Sequence, residues 1–237
     1  MVPQAPAAAA EAGRDVTICP LVTLGSPVMS AAAQIVLDAA ERAAARLTWR
    51  EYLALPETGT RQELIGGVLR AMAGAGALHQ RVVLEVGRQL ANQLFGKPCQ
   101  LYPAPFDVRL PQAGEAEGEE QNVVQPDLLI VCDPSKVGPR SLRGAPDFVL
   151  EVISPGSIRH DLIRKRRLYE QSGVREYWAY EPEGVLLYRF SAGSDGAWVA
   201  EIVAGTGTQT LSALPELAVD FDSVPKPEGY TPLPPVE

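Results

Sequence analysis

Asp147-Phe148-Val149-Leu150-Glu151-Val152-Ile153, closed by Ser154-Pro155-Gly156, is the stretch whose reading decides the fold. Apart from Glu151 its interior is apolar at successive positions, the pattern of a strand covered on both faces. Ser157 stands where it can cap a helix running to about Ser172, and Gly173 ends that helix. Tyr177-Trp178-Ala179-Tyr180 and Val185-Leu186-Leu187-Tyr188-Arg189-Phe190 read as two more strands, joined across Glu181-Pro182-Glu183-Gly184. Strand, helix and strand in this order predict a right-handed crossover between parallel strands in a mixed sheet.

Outward from this unit, Gly66-Gly67 separates two short runs, Gln62–Ile65 and Val68–Met72. Paired glycines between such runs signal a hairpin, because a type I′ turn needs positive φ at both central residues. Leu78, Val82, Val86, Leu90 and Leu94 recur every fourth residue, predicting a helix over 77–95 that Gly96 and Pro98 stop. Two further strands are expected near 99–110 and 123–132, with an acidic insert between them. Leu47–Leu53 reads as a short amphipathic helix with Thr48 as its cap. We divide the chain into an extension over 1–46, with an Ala-rich helix over 30–46 and Met29 as an alternative start, a domain over 47–222, and a Pro-rich tail over 223–237.

The net charge of −8 is distributed unevenly. Glu115, Glu117, Glu119 and Glu120 account for half of it, and the segment from Glu216 onward accounts for the other half. The remainder is neutral and contains one basic run, Arg159 with Arg164-Lys165-Arg166-Arg167. A nucleic-acid coat protein is therefore excluded, but a local phosphate-binding patch is not. Cys19, Cys99 and Cys132 are few, odd in number and far apart, which argues against a disulfide framework or a cysteine zinc site and for the cytoplasm. No apolar run has the length of a membrane span. With two histidines, no GxxxxGK[ST] loop, no GxSxG elbow and no HExxH, the familiar nucleotide, serine-hydrolase and zincin chemistries lack their residues.

Chemistry concentrates on three positions. Glu151 interrupts a fully apolar strand, where an unpaired carboxylate costs several kcal/mol. A cation partner, a raised pKa or a bound metal ion must compensate. Asp127 sits in a similar place, between Pro126 and Leu128-Leu129-Ile130-Val131. Two acids on neighbouring core strands can share one hard divalent cation such as Mg²⁺; a buried ion pair or backbone amides could satisfy them equally. A helix doubling back from residue 157 returns Lys165 to the level of Glu151, since eight helical residues retrace about 12 Å. Asp161 and Tyr169 share its helix face at four-residue spacing.

These residues also carry a resemblance. Leu47-Thr48-Trp49 with Glu51-Tyr52, Glu63-Leu64-Ile65, His79-Gln80, Gln125-Pro126-Asp127, Glu151-Val152-Ile153-Ser154-Pro155, Lys165 with Leu168-Tyr169-Glu170, and Gly173-Val174-Arg175-Glu176-Tyr177-Trp178 resemble, in order and spacing, the Uma2 family of the PD-(D/E)XK nuclease superfamily. The resemblance spans about 47–222. It implies a mixed α/β, restriction-endonuclease-like core, a central mixed sheet flanked by helices, and Mg²⁺- or Mn²⁺-dependent hydrolysis of phosphodiester bonds, with DNA as partner.

By the same resemblance, Asp127 and Glu151 match the metal-binding acids and Lys165 the lysine carried on the helix. The usual strand position of that lysine is Ile153 here. Glu63 matches an upstream acid that serves as a further ligand, and the Val152 carbonyl is a candidate fourth. Arg164, Arg166, Arg167, His79 and Gln125 are the candidate substrate contacts. Gly66 and Val68 depart from the family's more polar hairpin. The competing expectation is a non-catalytic binding or regulatory module on the same fold, and either version is compatible with a homodimer.

Overall fold

The computed structural model describes residues 46–56, 59–193 and 197–231; the expected Ala-rich helix and most of the N-terminal extension lie outside them. α1 (Trp49–Leu53) opens with a capping box: the Thr48 hydroxyl accepts from the Glu51 amide, and Glu51 reaches back to the Thr48 amide. β1 (Gln62–Ile65) and β2 (Val68–Ala71) pair antiparallel across Gly66 and Gly67, which adopt φ of 58° and 77° as the hairpin turn requires. α2 (Ala77–Leu94) follows and buries Val82, Val86, Leu90 and Leu94 along one stripe.

Each of the two strands expected between residues 99 and 132 is divided. β3 (Gln100–Pro103) is separate from β4 (Asp107–Arg109), and β5 (Val123–Val124) from β6 (Leu128–Val131). Pro105 and Pro126 stand at the breaks, where a residue without an N–H cannot continue a ladder. The halves go to different sheets. β7 (Ser141–Arg143) completes a five-stranded sheet ordered β2-β1-β5-β4-β7.

β8 (Phe148–Val152) is the deciding strand, buried at all five positions. The helix expected after it is present over 158–172, with Ser157 just ahead of it; the Ser157 carbonyl accepts the Asp161 amide at 2.9 Å, and its hydroxyl accepts the Ser154 amide. His160–Lys165 is π-helical, and α3 (Arg166–Ser172) continues from it to Gly173, whose φ of 84° ends the helix. β9 (Glu176–Glu181) then pairs parallel to β8, as a crossover requires, and β10 (Leu186–Ala192) returns antiparallel. β11 (Trp198–Ala204), β12 (Thr208–Thr210) and β13 (Ala218–Asp220) were not anticipated. The second sheet is ordered β11-β10-β9-β8-β6-β3.

Two cores flank this six-stranded sheet. On one face Leu128, Ile130, Phe148, Leu150, Trp178 and Tyr180 meet α2 and the β12–β13 hairpin, with Phe221 packed against the Trp178 and Tyr180 rings. On the other, Leu129, Val149, Ile153 and Tyr177 meet Leu168 and Tyr169 of α3 and Val108, Val124 and Leu142 of the five-stranded sheet. The odd-numbered residues of β8 thus face the five-stranded sheet, and Glu151 is one of them.

One expectation is corrected. Cys99 and Cys132 form a disulfide, with Cα atoms 3.9 Å apart. Their sequence separation of 33 hid the pairing, but they extend the β3–β6 register in which Gln100 opposes Val131. The acidic insert is not a bare negative surface. Glu120 is buried against Arg143 at 2.6 Å and Arg109 at 3.4 Å, and Glu119 meets Arg50 at 3.3 Å. No described helix is long and apolar enough to cross a membrane.

Candidate active site

The β6–β8 register opposes Leu128 to Leu150, so one step further along it Asp127 stands across from Glu151. Residues opposed on an antiparallel pair project to the same face. Asp127 Oδ2 accepts the Val152 amide at 2.8 Å and faces His79 Nε2, from the first turn of α2, at 3.0 Å. Glu151 Oε1 accepts from Lys165 Nζ at 2.9 Å and from the Tyr169 hydroxyl at 2.7 Å. Lys165 reaches it from the π-helical turn, whose wider winding is a recurrent feature of functional helices.

Glu63 closes the site from the other sheet. Its Oε1 lies 2.7 Å from Lys165 Nζ and accepts the Gln125 amide at 3.0 Å; its Oε2 lies 3.2 Å from His160 Nε2. Asp161 Oδ1 is 3.8 Å from the same ammonium. Lys165 is 2 % exposed, Glu63 1 % and Glu151 4 %, so this is an interior charge cluster.

Its electrostatics are uneven. Burial would raise the Glu63 carboxyl, but Lys165, His160 and the Gln125 amide outweigh it and hold the group at about 2. Burial raises Glu151 to about 8, because Lys165 only partly offsets it while Asp127, Asp161 and Glu63 add negative charge. Burial also raises Asp161, against the pull of Lys165. Lys165 itself moves upward despite burial, since Glu151, Glu63 and Asp161 surround it. Glu63 is thus the firm counter-ion of Lys165, and Glu151 the weaker acid.

The residues singled out in the sequence divide accordingly. Asp127, Glu151, Lys165, Glu63, His79 and the Val152 backbone come together. Gln125 is a strut: its side chain accepts from Arg61 at 2.9 Å and donates to Asp107 at 2.8 Å, while its amide holds Glu63. Arg166 pairs with Glu170 at 2.8 Å and lies over the Phe190 ring, away from the carboxylates. Arg164 is half-buried and Arg167 exposed on the turns flanking Lys165. His160 and Tyr169 complete the site without having been assigned roles. Tyr169 shared the face of Lys165, which was its one signal; His160 had none.

The donor set bears on a metal ion in a specific way. Among the described residues, no three His, Cys, Asp or Glu side chains form a group that could hold one. The expected trio of Asp127, Glu151 and Glu63 is therefore not assembled, because both oxygens of Glu63 are engaged by Lys165, Gln125 and His160. Asp127 and Glu151 each keep one oxygen, Oδ1 and Oε2, that takes no hydrogen bond from a described residue. A pair of hard oxygens fits Mg²⁺, which is commonly held by one or two carboxylates and keeps several waters.

Comparison with known proteins agrees with this fold. A family model described as "Uma2: Putative restriction endonuclease" matches residues 49–222. An uncharacterized protein of Synechocystis sp., slr1290, is 24% identical over 156 residues, covering 65% of this chain and 78% of its own. The crystal structure of a "putative nuclease belonging to DUF820" from Anabaena variabilis superposes with a TM-score of 0.60 at 15% identity, covering 75% of this chain and 97% of that one.

Proposed function

We propose, from the premise that this chain belongs to the Uma2 family, that it is a metal-dependent endonuclease hydrolysing phosphodiester bonds of DNA. The observation that carries this reading is the meeting of Asp127 and Glu151 across the β6–β8 ladder beside a buried lysine. In it, Asp127 and Glu151 would hold Mg²⁺, or Mn²⁺, through the oxygens that take no hydrogen bond from a described residue, with the Val152 carbonyl as a candidate further ligand. The ion, when bound, lowers the pKa of water and polarises a phosphate oxygen.

The chain's own residues do the rest. The Val152 amide and His79 fix the Asp127 carboxylate by its other oxygen, so that Oδ1 is presented in one orientation. Tyr169 does the same for Glu151. Lys165, kept protonated by Glu63, offers its charge to the phosphate as negative charge grows there. Glu63 acts through Lys165 rather than as a ligand. Arg164 and Arg167, flanking Lys165, supply sequence-independent contact to the nucleic-acid backbone. DNA as substrate puts the protein in the cytoplasm, and the Cys99–Cys132 disulfide is the observation that weighs against a permanently reducing environment.

The test is cleavage of single- and double-stranded DNA and RNA with Mg²⁺ or Mn²⁺. Activity is expected for the wild type and lost in Asp127→Asn and Glu151→Gln; activity that survives both substitutions refutes the assignment. One observation favours a second reading. Lys165 is fully enclosed by acids, as in a structural ion cluster of a non-catalytic, nuclease-fold binding module. Calorimetry separates the two, since that module binds neither ion at millimolar concentration.

A further inference from the structure

β11 is an end strand of the six-stranded sheet, and no described strand pairs with its outer edge. Its sequence, Trp198-Val199-Ala200-Glu201-Ile202-Val203-Ala204, is almost wholly apolar over seven residues. Val199 is 52 % exposed and Ile202 66 %, and because their numbers differ in parity they project to opposite faces. Natural edge strands are usually protected by Lys, Pro, Gly bulges or short length. β11 has none of these. Its single charge, Glu201, lies 3.7 Å from Arg189 on the neighbouring strand.

Apolar residues on both faces, combined with a backbone edge that no described strand pairs, are covered together by an added strand, since an element packed on one face leaves the other exposed. The strand is complementary to a second copy of itself. A two-fold axis perpendicular to the sheet pairs two β11 strands antiparallel and keeps each face on its own side. Centred on Ala200, it opposes Ala200 to its own copy, Trp198 to the partner's Ile202, and Val199 to the partner's Glu201. The aromatic–β-branched pair is among the favourable cross-strand pairs. Trp198 is already oriented for it by stacking on Phe190, ring centroids 6.2 Å apart. Centring on Glu201 would oppose two carboxylates, and centring on Val199 would leave Ile202 uncovered.

We infer that β11 is a homodimer interface, in which two six-stranded sheets join edge to edge through an antiparallel β11–β11 pair centred on Ala200. This does not rest on the nuclease reading. The test is the solution mass of the full chain by light scattering across a concentration series. The wild type is expected at twice the 25.4 kDa of one chain, and Ile202→Lys at the single-chain mass with unchanged circular dichroism. In a Cys19→Ser background, Ala200→Cys is expected to crosslink under mild oxidation and Ala204→Cys not to. A monomeric wild type overturns the inference. So does a dimer that Ile202→Lys leaves intact, or a crosslink at 204 in place of 200.

Discussion

Lys165 Nζ lies 2.7 Å from Glu63 Oε1, although the two residues come from different layers of the fold and distant parts of the chain. The contact ties the five-stranded sheet to the helical crossover of the six-stranded one. Through Lys165 it also governs the charge available to Glu151, 2.9 Å away.

Removal of the ammonium leaves carboxylates buried without a counter-ion. Lys165→Ala is therefore expected to cost about 3–5 kcal/mol, the penalty for breaking a buried pair by removing one partner. Urea denaturation measures it. A loss below about 1 kcal/mol would show the cluster to be hydrated rather than interior.

The acid limb of the stability curve is assigned to Glu63. Its folded pKa, about 2, lies below the ordinary carboxyl value of 4.5, so its stabilisation is complete above the unfolded value and lost as pH falls from about 4.5 to 2. The loss is on the order of 3 kcal/mol for this group alone. Glu63→Gln should be less stable at neutral pH, and its stability should fall less steeply below pH 4.5. Parallel acid limbs in the two proteins would contradict the assignment.

Tyr169→Phe removes one donor to Glu151 while retaining the ring that packs on Tyr177. A buried hydrogen bond to a charged or partly charged group predicts a loss of about 1.5–3 kcal/mol. Under the nuclease reading Mg²⁺ should still bind by calorimetry, with weakened affinity, because Glu151 is retained but less firmly oriented.

Reduction of the Cys99–Cys132 disulfide opens a loop spanning 33 residues of sequence separation. Loop-closure entropy predicts a loss of about 2–4 kcal/mol. Thermal melting with and without reductant measures it, with Cys99→Ser as the control that should melt with the reduced protein. Coincident melting of oxidised and reduced wild type would contradict the expectation.

Local sequence determined a good part of this protein. The apolar run at 147–153, the glycine stop at 173 and the aromatic strands after it specified the crossover, because burial on both faces and helix termination are written in neighbouring residues. The Gly66-Gly67 turn and the fourfold spacing of α2 were legible for the same reason. Glu151 stood out because a carboxylate in such a strand demands compensation.

Tertiary structure decided what that compensation is. Lys165 reaches Glu151 through a π-helical turn that the sequence did not disclose, and Glu63 is oriented by Gln125 and His160 from separate segments. In the sequence the acids of the insert at 115–120 counted only as net charge; the fold brings Arg50 to Glu119, and Arg109 and Arg143 to Glu120. The cysteines read as unpaired until β3 and β6 were placed side by side. Periodicity is a property of neighbouring residues, whereas ion pairs, disulfides and ligand sets depend on distances through space. The sequence by itself therefore determined the crossover, the Gly66-Gly67 hairpin, α2 and the demand for compensation at Glu151 and Asp127; only the packing of two sheets around one lysine decided which acids are engaged and which offer an oxygen that no described residue bonds.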